Sequence, residues 1–418
     1  MKSGFFYFCA FLKILLYNIR LIGGEILRIL HCSDLHLGRK VSGSIYSDYF
    51  RERYEDFFRA FKYIADFAIS QNIDVFMISG DIFDKKDLSP DTLERAEEIF
   101  KSLKDAGIKV IAIEGNHDRI FDFENVSWLE YLKNKSYIVL LRPSVKNGEV
   151  FFDPWNGKKG GYLEIKDTRF YGVGYQGINF PEYIKALSGI DGNYRNIMLI
   201  HTGIGDLKMP GFVSANDFKC IDGKFSYIAG GHLHSKSIQK IGKSFVFIPG
   251  APEYWDIRES EQKGFFLYDT EKEDVKFFES RRRKKIEKHL KVNEDSNFEE
   301  QFLHLLSESS IEKGAMYLIN VEIPFGTPLN LNLSEYESWM EKRGALNCTV
   351  NLKQIDKERE IDNESPMSIE EIENSIISKD KNFGSHSKDV SQTIDMLKSA
   401  NELDALEILD KLFENLVE

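Results

Sequence analysis

The sequence lacks closely spaced cysteines, long uninterrupted apolar runs and low-complexity tracts. Its four cysteines, Cys9, Cys32, Cys220 and Cys348, lie far apart along the 418 residues. Because disulfide frameworks and Cys-type zinc sites need cysteines at short spacing, the sequence predicts neither, and it favours a reducing, cytoplasmic compartment. The composition is ordinary for a globular protein, and the length indicates at least two structural units.

The longest apolar stretch, residues 5–22, is interrupted by polar residues that include Lys13 and Arg20. A membrane helix needs about 20 apolar residues, and a signal peptide ends in a cleavage site ahead of the mature chain. Here a strand-like segment begins almost at once, at Ile26. Four interpretations of residues 1–25 stay open: a spurious upstream extension, an ordinary amphipathic segment, a membrane anchor and a signal peptide. We expect no membrane association unless this segment is a true anchor.

Negative charge is concentrated in the C-terminal part of the chain. The net charge is −12, but residues 291–418 carry −15 and the preceding residues carry +3. The acidity of the C-terminal part therefore does not argue against a polyanionic substrate for the rest of the protein.

Potential metal ligands follow each of five strand-like apolar segments. The clearest case is Asp81, which follows the run 74–78, a short, continuous stretch of large hydrophobic residues typical of a buried parallel strand. A carboxylate there lies at the sheet edge where open α/β sheets bind ligands. The five exit motifs are Asp34-x-His36, Gly80-Asp81, Gly115-Asn116-His117-Asp118, His201 and Gly231-His232-x-His234. Each motif alone is typical of an ordinary loop, but five in succession favour one shared site.

The pooled residue types suit a pair of divalent metal ions. Two aspartates, one asparagine and up to five histidines combine carboxylate, amide and imidazole donors, which favour manganese, iron or zinc. A single carboxylate such as Asp81 can bridge two ions about 3.5–4 Å apart, and two ions can clamp a phosphoryl group. An imidazole that holds no metal can protonate the leaving oxygen. We therefore expect the strand exits to converge on one site for phosphoester hydrolysis.

Secondary-structure patterns predict an α/β fold. Over residues 26–119 strands alternate with helices, which is the βαβ rhythm of a parallel sheet with right-handed crossovers. One predicted helix runs over 46–70, and another begins at Pro90 after the cap Ser89 and ends before Gly107. The second half is typical of mixed β-structure. The sequence therefore predicts two sheets packed face to face with helices outside.

In this order, the five exit motifs resemble the motif set of the calcineurin-like metallophosphoesterase superfamily, over about residues 26–270. The resemblance implies two ligand sets that share one aspartate: Asp34, His36, Asp81 and His234 for one ion, and Asp81, Asn116, His201 and His232 for the other. It further implies that His117 is the general acid and that Asp118 is its orienting partner.

Details of the motifs favour one branch of that superfamily. Asp84 is followed by two lysines and His117 by an aspartate, where phosphoprotein phosphatases have Arg-Gly and glutamate. Segments such as 29–38 and 248–253 resemble DNA-repair exonucleases of the SbcD type, with the YhaO-like subgroup as a narrower interpretation. Residues 316–329 resemble the start of the small capping domain of that family.

The resemblance implies a two-sheet metallophosphoesterase sandwich flanked by helices, followed by a small α+β capping domain and C-terminal helices. The predicted boundaries are 1–25 for the N-terminal extension, 26–280 for the nuclease domain, 281–353 for the capping domain and 354–418 for a linker with acidic helices. The implied partners are DNA, an SMC-like coiled-coil ATPase docked on the C-terminal helices, and a second copy of the chain. The last helix could instead pack on its own domain.

Three functions remain in view. The first is a metal-dependent DNA exonuclease or endonuclease acting in DNA repair, whose basic residues near the site contact phosphates. The candidate basic residues are Arg39, Lys40, Lys85, Lys86, Arg119 and the run 281–285. That run could also be a solvated loop. The second function is a phosphodiesterase or phosphatase for small nucleotide or other phosphoester substrates, and the third is a scaffold whose acidic helices recruit a partner.

Overall fold

The computed structural model describes residues 26–41, 48–119, 126–192, 194–205, 211–259, 262–291, 300, 304, 311–324 and 332–355. The strands are β1 (Arg28–Cys32), β2 (Val75–Ser79), β3 (Lys109–Ile113), β4 (Val139–Leu140), β5 (Ser144–Lys146), β6 (Glu149–Phe151), β7 (Tyr162–Ile165), β8 (Thr168–Val173), β9 (Arg195–His201), β10 (Gly203–Ile204), β11 (Phe212–Val213), β12 (Tyr227–Gly231), β13 (Ser237–Ile241), β14 (Ser244–Ile248), β15 (Gly264–Asp269), β16 (Asp274–Glu279), β17 (Lys285–Lys291), β18 (Met316–Pro324) and β19 (Asn347–Ile355). The α-helices are α1 (Asp48–Ser70), α2 (Pro90–Asp105), α3 (Trp128–Asn134), α4 (Phe180–Ala186) and α5 (Leu333–Lys342). The chain separates into two compact units, and the site discussed below lies in the unit formed by 1–322 and 328–353.

One six-stranded sheet has the order β16-β15-β1-β2-β3-β4, in which β1 to β4 run parallel and β15 runs antiparallel to both neighbours. Its strand β2 is buried on both faces, which explains the unbroken apolar run in the sequence. Side chains alternate along a strand. Val75 and Met77 therefore point to the second sheet, while Phe76 and Ile78 pack on the side of the helices.

The other six-stranded sheet has the order β13-β14-β12-β9-β8-β7, and β8, β9, β12 and β14 run parallel. An apolar layer lies between the sheets and draws side chains from both: Ile29, Val75, Met77 and Ile111 from one, and Phe170, Ile197, Leu199 and Tyr227 from the other. Helices α1, α2 and α3 cover the outer face of the first sheet, and α4 covers that of the second. The predicted two-sheet sandwich with helices outside is confirmed.

The two long helices begin and pack as their sequences predict. Helix α1 falls within the predicted 46–70 and buries Phe57 and Phe61 on its apolar face. Helix α2 begins at Pro90, and the hydroxyl of the cap Ser89 accepts the backbone N–H of Thr92 at 3.2 Å. Both helices contribute to the same core beneath the first sheet.

A three-stranded sheet, β17-β18-β19, follows the sandwich in sequence, and β17 runs parallel to β18. The sequence pattern indicates a strand over 316–323 and a short helix over 335–342, and β18 and α5 lie at these positions. The sequence pattern also indicates three antiparallel strands after β12, over 237–241, 244–248 and 264–268. Of these, β13 and β14 pair with each other, whereas β15 joins the first sheet beside β1. This last pairing spans some 240 residues, so no local pattern could specify it.

Several predicted features lie outside the described residues. They are residues 1–25, the linker beyond residue 355, and the acidic helices over 368–379 and 388–417. The proposed domain boundaries at 281 and 353 remain predictions. Among the helices that the structure describes, none combines the length and the apolar character needed to cross a bilayer.

Candidate metal centre

The loops that leave the strands adopt an uncommon backbone conformation at four predicted ligands. Asp34, His36, Asp81 and His232 have φ values of 52°, 44°, 51° and 85°. The left-handed region costs a non-glycine residue about 1–3 kcal/mol, and such residues cluster at functional sites. Because Asp34 and His36 follow β1, Asp81 follows β2 and His232 follows β12, strands of both sheets contribute to this strained region.

One group of donor atoms comes from Asp34, His36 and His234, whose ligand atoms lie within 4.8 Å of one another. The Nε2 atoms of His36 and His234 face each other at 3.2 Å. The Asp34 carboxylate is fixed by the backbone N–H of His232, which donates to it at 3.1 Å. We call Asp34, His36 and His234 the first donor group.

The second donor group comprises Asn116, His201 and His232. The side-chain oxygen of Asn116 lies 3.1 Å from His201 Nε2 and 3.0 Å from His232 Nδ1. Asp81 lies between the two groups, with its Oδ2 3.2 Å from His201 Nε2 and 3.9 Å from His36 Nε2. The structure thus brings all seven predicted metal ligands together, and their role as ligands stays a prediction.

Two glycines are required by the close approach of these loops. A Cβ on Gly115 would lie 2.0 Å from Asp81 Oδ1, and a Cβ on Gly80 would lie 2.2 Å from His201 Nδ1. Gly80 also has a φ of 88°, which favours glycine. Any larger side chain at either position would therefore displace a predicted ligand.

The two donor groups fit a pair of divalent ions. Nδ1 of the buried His36 faces the Asp84 carboxylate at 3.6 Å, and the ring directs Nε2 toward His234. Imidazole, carboxylate and amide donors converge in the combination that manganese, iron and zinc accept. Asp81 reaches toward both groups, as a bridging carboxylate would.

A model of the calcineurin-like phosphoesterase family matches residues 27–236. This span covers half of the chain, and it contains all seven predicted metal ligands together with His117. The chain belongs to the calcineurin-like phosphoesterase family. The resemblance carried by the five exit motifs is thereby confirmed.

Three curated relatives of this chain have sequence identities of 23–27%. The DNA double-strand break repair protein Mre11 of Saccharolobus solfataricus is 27% identical over 241 residues, which cover 57% of this chain and 57% of the relative. The Mre11 protein of Archaeoglobus fulgidus is 26% identical over 311 residues, or 68% and 66% of the two chains. The uncharacterized metallophosphoesterase YhaO of Bacillus subtilis is 23% identical over 256 residues, or 60% and 59%. The chain thus spans between half and two thirds of the length of these relatives.

His117, the predicted general acid of this calcineurin-like phosphoesterase, lies beside the first donor group. Its ring packs edge-on against that of His36, with centroids 4.9 Å apart. Its Nδ1 lies 2.6 Å from the backbone carbonyl oxygen of Asp84, which can only accept a hydrogen bond. Nδ1 therefore carries a hydrogen, and Nε2 is left as the atom that can exchange a proton.

Asp118 makes contacts other than the predicted one. Its carboxylate accepts three backbone N–H groups at 3.0–3.2 Å, from Gly115, Ile82 and Phe83. These bonds tie together the two loops that carry Asp81 and Asn116. The expectation that Asp118 orients His117 directly is corrected, because the Asp84 carbonyl holds the ring while Asp118 holds the loops.

Burial and mutual charge shift the titration of the site. Burial alone would lower the pKa of His201, but the charges of Asp81 and Asp34 outweigh it and raise this pKa to about 9. Burial and the charge on His201 lower the pKa of His232 to about 4. Burial and the charge of Asp81 raise the pKa of Asp118 to about 7. A proton on His201 thus offsets the charge of the buried carboxylates, as a bound divalent cation would.

Sequence reasoning missed Trp255 and Glu259, which lie beside the first donor group. The Trp255 ring lies 4.4 Å from the ring of His36 and 4.6 Å from that of His234, centroid to centroid. The Arg39 guanidinium lies 3.1 Å from the centre of the same indole. Glu259 Oε1 lies 3.5 Å from His234 Nδ1. Both missed residues come from the irregular loop between β14 and β15, where no periodic pattern marks them.

The predicted phosphate contacts fall into two classes. Four side chains of the run 281–285 bind protein groups: Arg283 binds Asp56 and Glu52, Arg282 binds Tyr254, Lys284 binds Glu312, and Lys285 binds the Glu259 carbonyl oxygen. The run is therefore not simply a solvated loop, and these four cations already have partners. Lys40, Lys85 and Arg119 are exposed, so they remain the better candidates for contacts to phosphates.

Proposed function

We propose that this protein is a metal-dependent nuclease that hydrolyses phosphodiester bonds of DNA in DNA repair. The observation that carries the proposal is the position of Asp81 between two groups of metal-ligand atoms. The names of the Mre11 relatives support DNA as the substrate. Exposed cations such as Lys85 and Arg119 would contact neighbouring phosphates.

The donor groups suggest how two ions would be held. The two predicted ligand sets are Asp34, His36, Asp81 and His234 for one ion, and Asp81, Asn116, His201 and His232 for the other. We propose manganese as the native metal, with iron and zinc as alternatives. Such a pair, when bound, supplies a nucleophilic water at neutral pH and neutralises charge on the phosphoryl group.

The protein itself would supply the proton for the leaving group. Because Nδ1 of His117 is held by the Asp84 carbonyl, its Nε2 can donate a proton to the departing 3′ oxygen of the cleaved strand. Asp118 would keep the two ligand-bearing loops in register through their backbone N–H groups. We therefore assign His117 as the general acid and Asp118 as a residue that positions the loops.

The proposal extends to the rest of the chain. We propose that residues 26–280 form the nuclease domain, that 281–353 form the capping domain, and that 354–418 form a linker and helices that dock an SMC-like coiled-coil ATPase. We also propose a homodimer that acts in the cytoplasm. Truncation at residue 353 should abolish binding to the ATPase while leaving the metal content unchanged.

The test compares a labelled linear DNA duplex with bis(4-nitrophenyl) phosphate, a small diester, using protein stripped of metal and reloaded with Mn²⁺. We expect the wild type to cleave the duplex, and we expect Asp34→Asn to lose cleavage of both substrates. Asp66→Asn, which removes an exposed carboxylate of α1, is the matched control. If the loaded wild type hydrolyses the small diester but leaves all DNA intact, the alternative of a small-molecule phosphodiesterase replaces the proposal.

A further inference from the structure

A chain of buried polar groups crosses the apolar layer between the two sheets. His31 on β1 is fully buried, and both of its ring nitrogens have partners. Its Nδ1 lies 3.0 Å from the hydroxyl of Tyr227 on β12, and its Nε2 lies 3.0 Å from the hydroxyl of Ser79 on β2. The Ser79 hydroxyl lies 3.0 Å from the carbonyl oxygen of Ala229, also on β12.

The acceptor at one end fixes every hydrogen in this chain. The Ala229 carbonyl oxygen can only accept, so the Ser79 hydroxyl donates to it. Because its one hydrogen is used in that bond, the hydroxyl can interact with His31 only by accepting Nε2–H. His31 therefore carries its hydrogen on Nε2, and its Nδ1 accepts the hydroxyl hydrogen of Tyr227. Burial lowers the pKa of His31 to about 3, so the ring stays neutral at physiological pH.

The same serine also holds a predicted metal ligand. The backbone carbonyl oxygen of Ser79 lies 2.7 Å from His201 Nδ1 and accepts its hydrogen. This bond leaves His201 Nε2 facing Asn116 and Asp81, as a ligand nitrogen must. Ser79 is thus bound through its side chain to one strand of the second sheet and through its backbone to another.

The sheets approach closely at this point. A Cβ on Gly231 would lie 2.0 Å from the Ser79 carbonyl oxygen and 3.0 Å from His201 Nδ1. The carbonyl therefore has little room, and a rotation of its peptide plane would press it against β12. In sequence, His31 precedes Asp34 by three residues and Ser79 precedes Asp81 by two. The polar chain thus lies directly beneath the loops that carry the predicted metal ligands.

We propose that His31, together with Ser79 and Tyr227, is a positioning residue that sets the orientation of His201 for the second donor group. It acts by holding the Ser79 side chain against β12, which fixes the direction of the Ser79 carbonyl. The inference rests on the proposed metal centre. It concerns residues that are fully buried between the sheets and are not themselves predicted metal ligands.

A purely structural role would not require this arrangement. Apolar side chains at positions 31 and 227 together would avoid the burial of polar groups, each of which is destabilising when it lacks a partner. Replacing both members of a buried hydrogen bond by apolar groups of similar shape can be nearly neutral. A variant that removes both members of a hydrogen bond should keep its stability. Any loss of metal affinity in such a variant can then be attributed to the positioning of His201.

The first experiment uses metal-free protein labelled with ¹⁵N in histidine. We expect His31 to be a neutral ring with hydrogen on Nε2, and we expect a hydrogen-bonded Nδ1–H signal from His201. In Ser79→Ala the Nδ1–H signal of His201 should shift or exchange faster with water. A charged His31, a His31 with hydrogen on Nδ1, or an unchanged His201 signal in Ser79→Ala would overturn the proposal.

The second experiment titrates Mn²⁺ into the full-length variants by calorimetry. Ser79→Ala and the double variant His31→Phe/Tyr227→Phe should bind one ion as the wild type does and the other about 10-fold to 100-fold more weakly. The double variant leaves no orphaned hydroxyl, so it should unfold at nearly the wild-type temperature. His31→Gln, which keeps a donor near the Nε2 position, should recover most of the affinity.

The outcomes separate this inference from the proposed function. Wild-type affinity for both ions in Ser79→Ala and in the double variant would overturn the inference and leave the proposed nuclease standing. A wild type that binds no ion would instead refute the proposed function, and the histidine spectra would still decide whether Ser79 and His31 orient His201. If the double variant fails to fold, Ser79→Ala and His31→Gln decide the question.

Discussion

Two clusters of buried charge in this protein are built in opposite ways. One is the metal centre. The other, which we call the arginine network, consists of the buried Arg53, Asp56 and Glu253 together with the partly exposed Arg283 and Glu52. In the network each carboxylate faces a guanidinium: Arg53 Nη1 lies 2.8 Å from Asp56 Oδ2 and 2.9 Å from Glu253 Oε1. In the metal centre the carboxylate of Asp81 faces imidazole rings.

The comparison shows what distinguishes a structural ion cluster from a ligand site. The arginine network is complete within the chain: Arg283 bridges Asp56 and Glu52 at 2.6–2.8 Å and joins helix α1 to the segment ahead of β17. In the candidate metal centre, potential ligand atoms face one another instead: His36 Nε2 lies 3.2 Å from His234 Nε2. A buried charge without a partner costs several kcal/mol. In the centre a proton on His201 offsets part of the carboxylate charge, and we expect a divalent cation to complete it, whereas arginines complete the network.

The largest effect should come from Asp81→Asn, which removes the charge between the two donor groups. We expect a loss of metal affinity greater than the roughly 10–100-fold that follows loss of an outer hydrogen-bond partner, with DNA cleavage at background. The metal content after dialysis measures the affinity, and an assay with a labelled duplex measures the cleavage. Asp66→Asn, on the exposed face of α1, should behave as the wild type. Two tightly bound ions in Asp81→Asn would show that this carboxylate is not shared.

His117→Leu should separate catalysis from metal binding. The variant lacks the proposed proton donor but keeps all seven ligands, so we expect both ions to remain and turnover to fall by about 10²–10⁴-fold. The matched control is His289→Leu, an exposed histidine on β17 whose side chain is 73% accessible. Single-turnover cleavage measures the rate of the chemical step, and a metal assay measures the number of bound ions. Normal turnover in His117→Leu would remove this residue from the proposed mechanism.

Arg53→Met tests the opposite cluster. It leaves Glu253 and Asp56 buried with one guanidinium fewer, so we expect a loss of about 3–5 kcal/mol in the free energy of unfolding. The affinity of the folded protein for Mn²⁺ should not change. Urea unfolding is compared with that of Arg51→Met, which removes an exposed arginine of α1 with 69% accessibility. Equal stabilities of the two variants would contradict the distinction between the clusters.

Added metal should give the smallest of these effects. At a free Mn²⁺ concentration of 100 times Kd, one site stabilises the folded state by about 2.7 kcal/mol. We expect this gain in the wild type and in Arg53→Met, and its loss in Asp81→Asn or on addition of a chelator. Thermal unfolding with and without Mn²⁺ measures it. An equal gain in Asp81→Asn would indicate that the metal binds elsewhere.

The convergence of the seven predicted ligands could be expected from the sequence because its signal is local. Asp34 and Asp81 stand directly after buried strands, and parallel strands bring their exits to one edge whatever the loop lengths. The sandwich is predictable for the same reason, since continuous apolar runs require cover on both faces. These features need only residue types and strand order.

The contacts that the sequence did not predict join residues that lie far apart along the chain. Arg283 and Asp56 are 227 residues apart, and nothing near either position marks their pairing. Trp255 lies in an irregular loop, and its contact with His36 follows only from the packed fold. The misassigned partner of Asp118 has a simpler cause: the carboxylate binds backbone N–H groups, which every residue has, so residue identity carries no signal.

The most direct test of the account is a crystal structure with Mn²⁺ at a wavelength that excites manganese. We predict two anomalous peaks about 3.5–4 Å apart. One should lie among the atoms of the first donor group and the other among those of the second, with Asp81 touching both. No peak at these positions, or a peak within the arginine network instead, would contradict the claim that this cluster of buried charge is completed by metal.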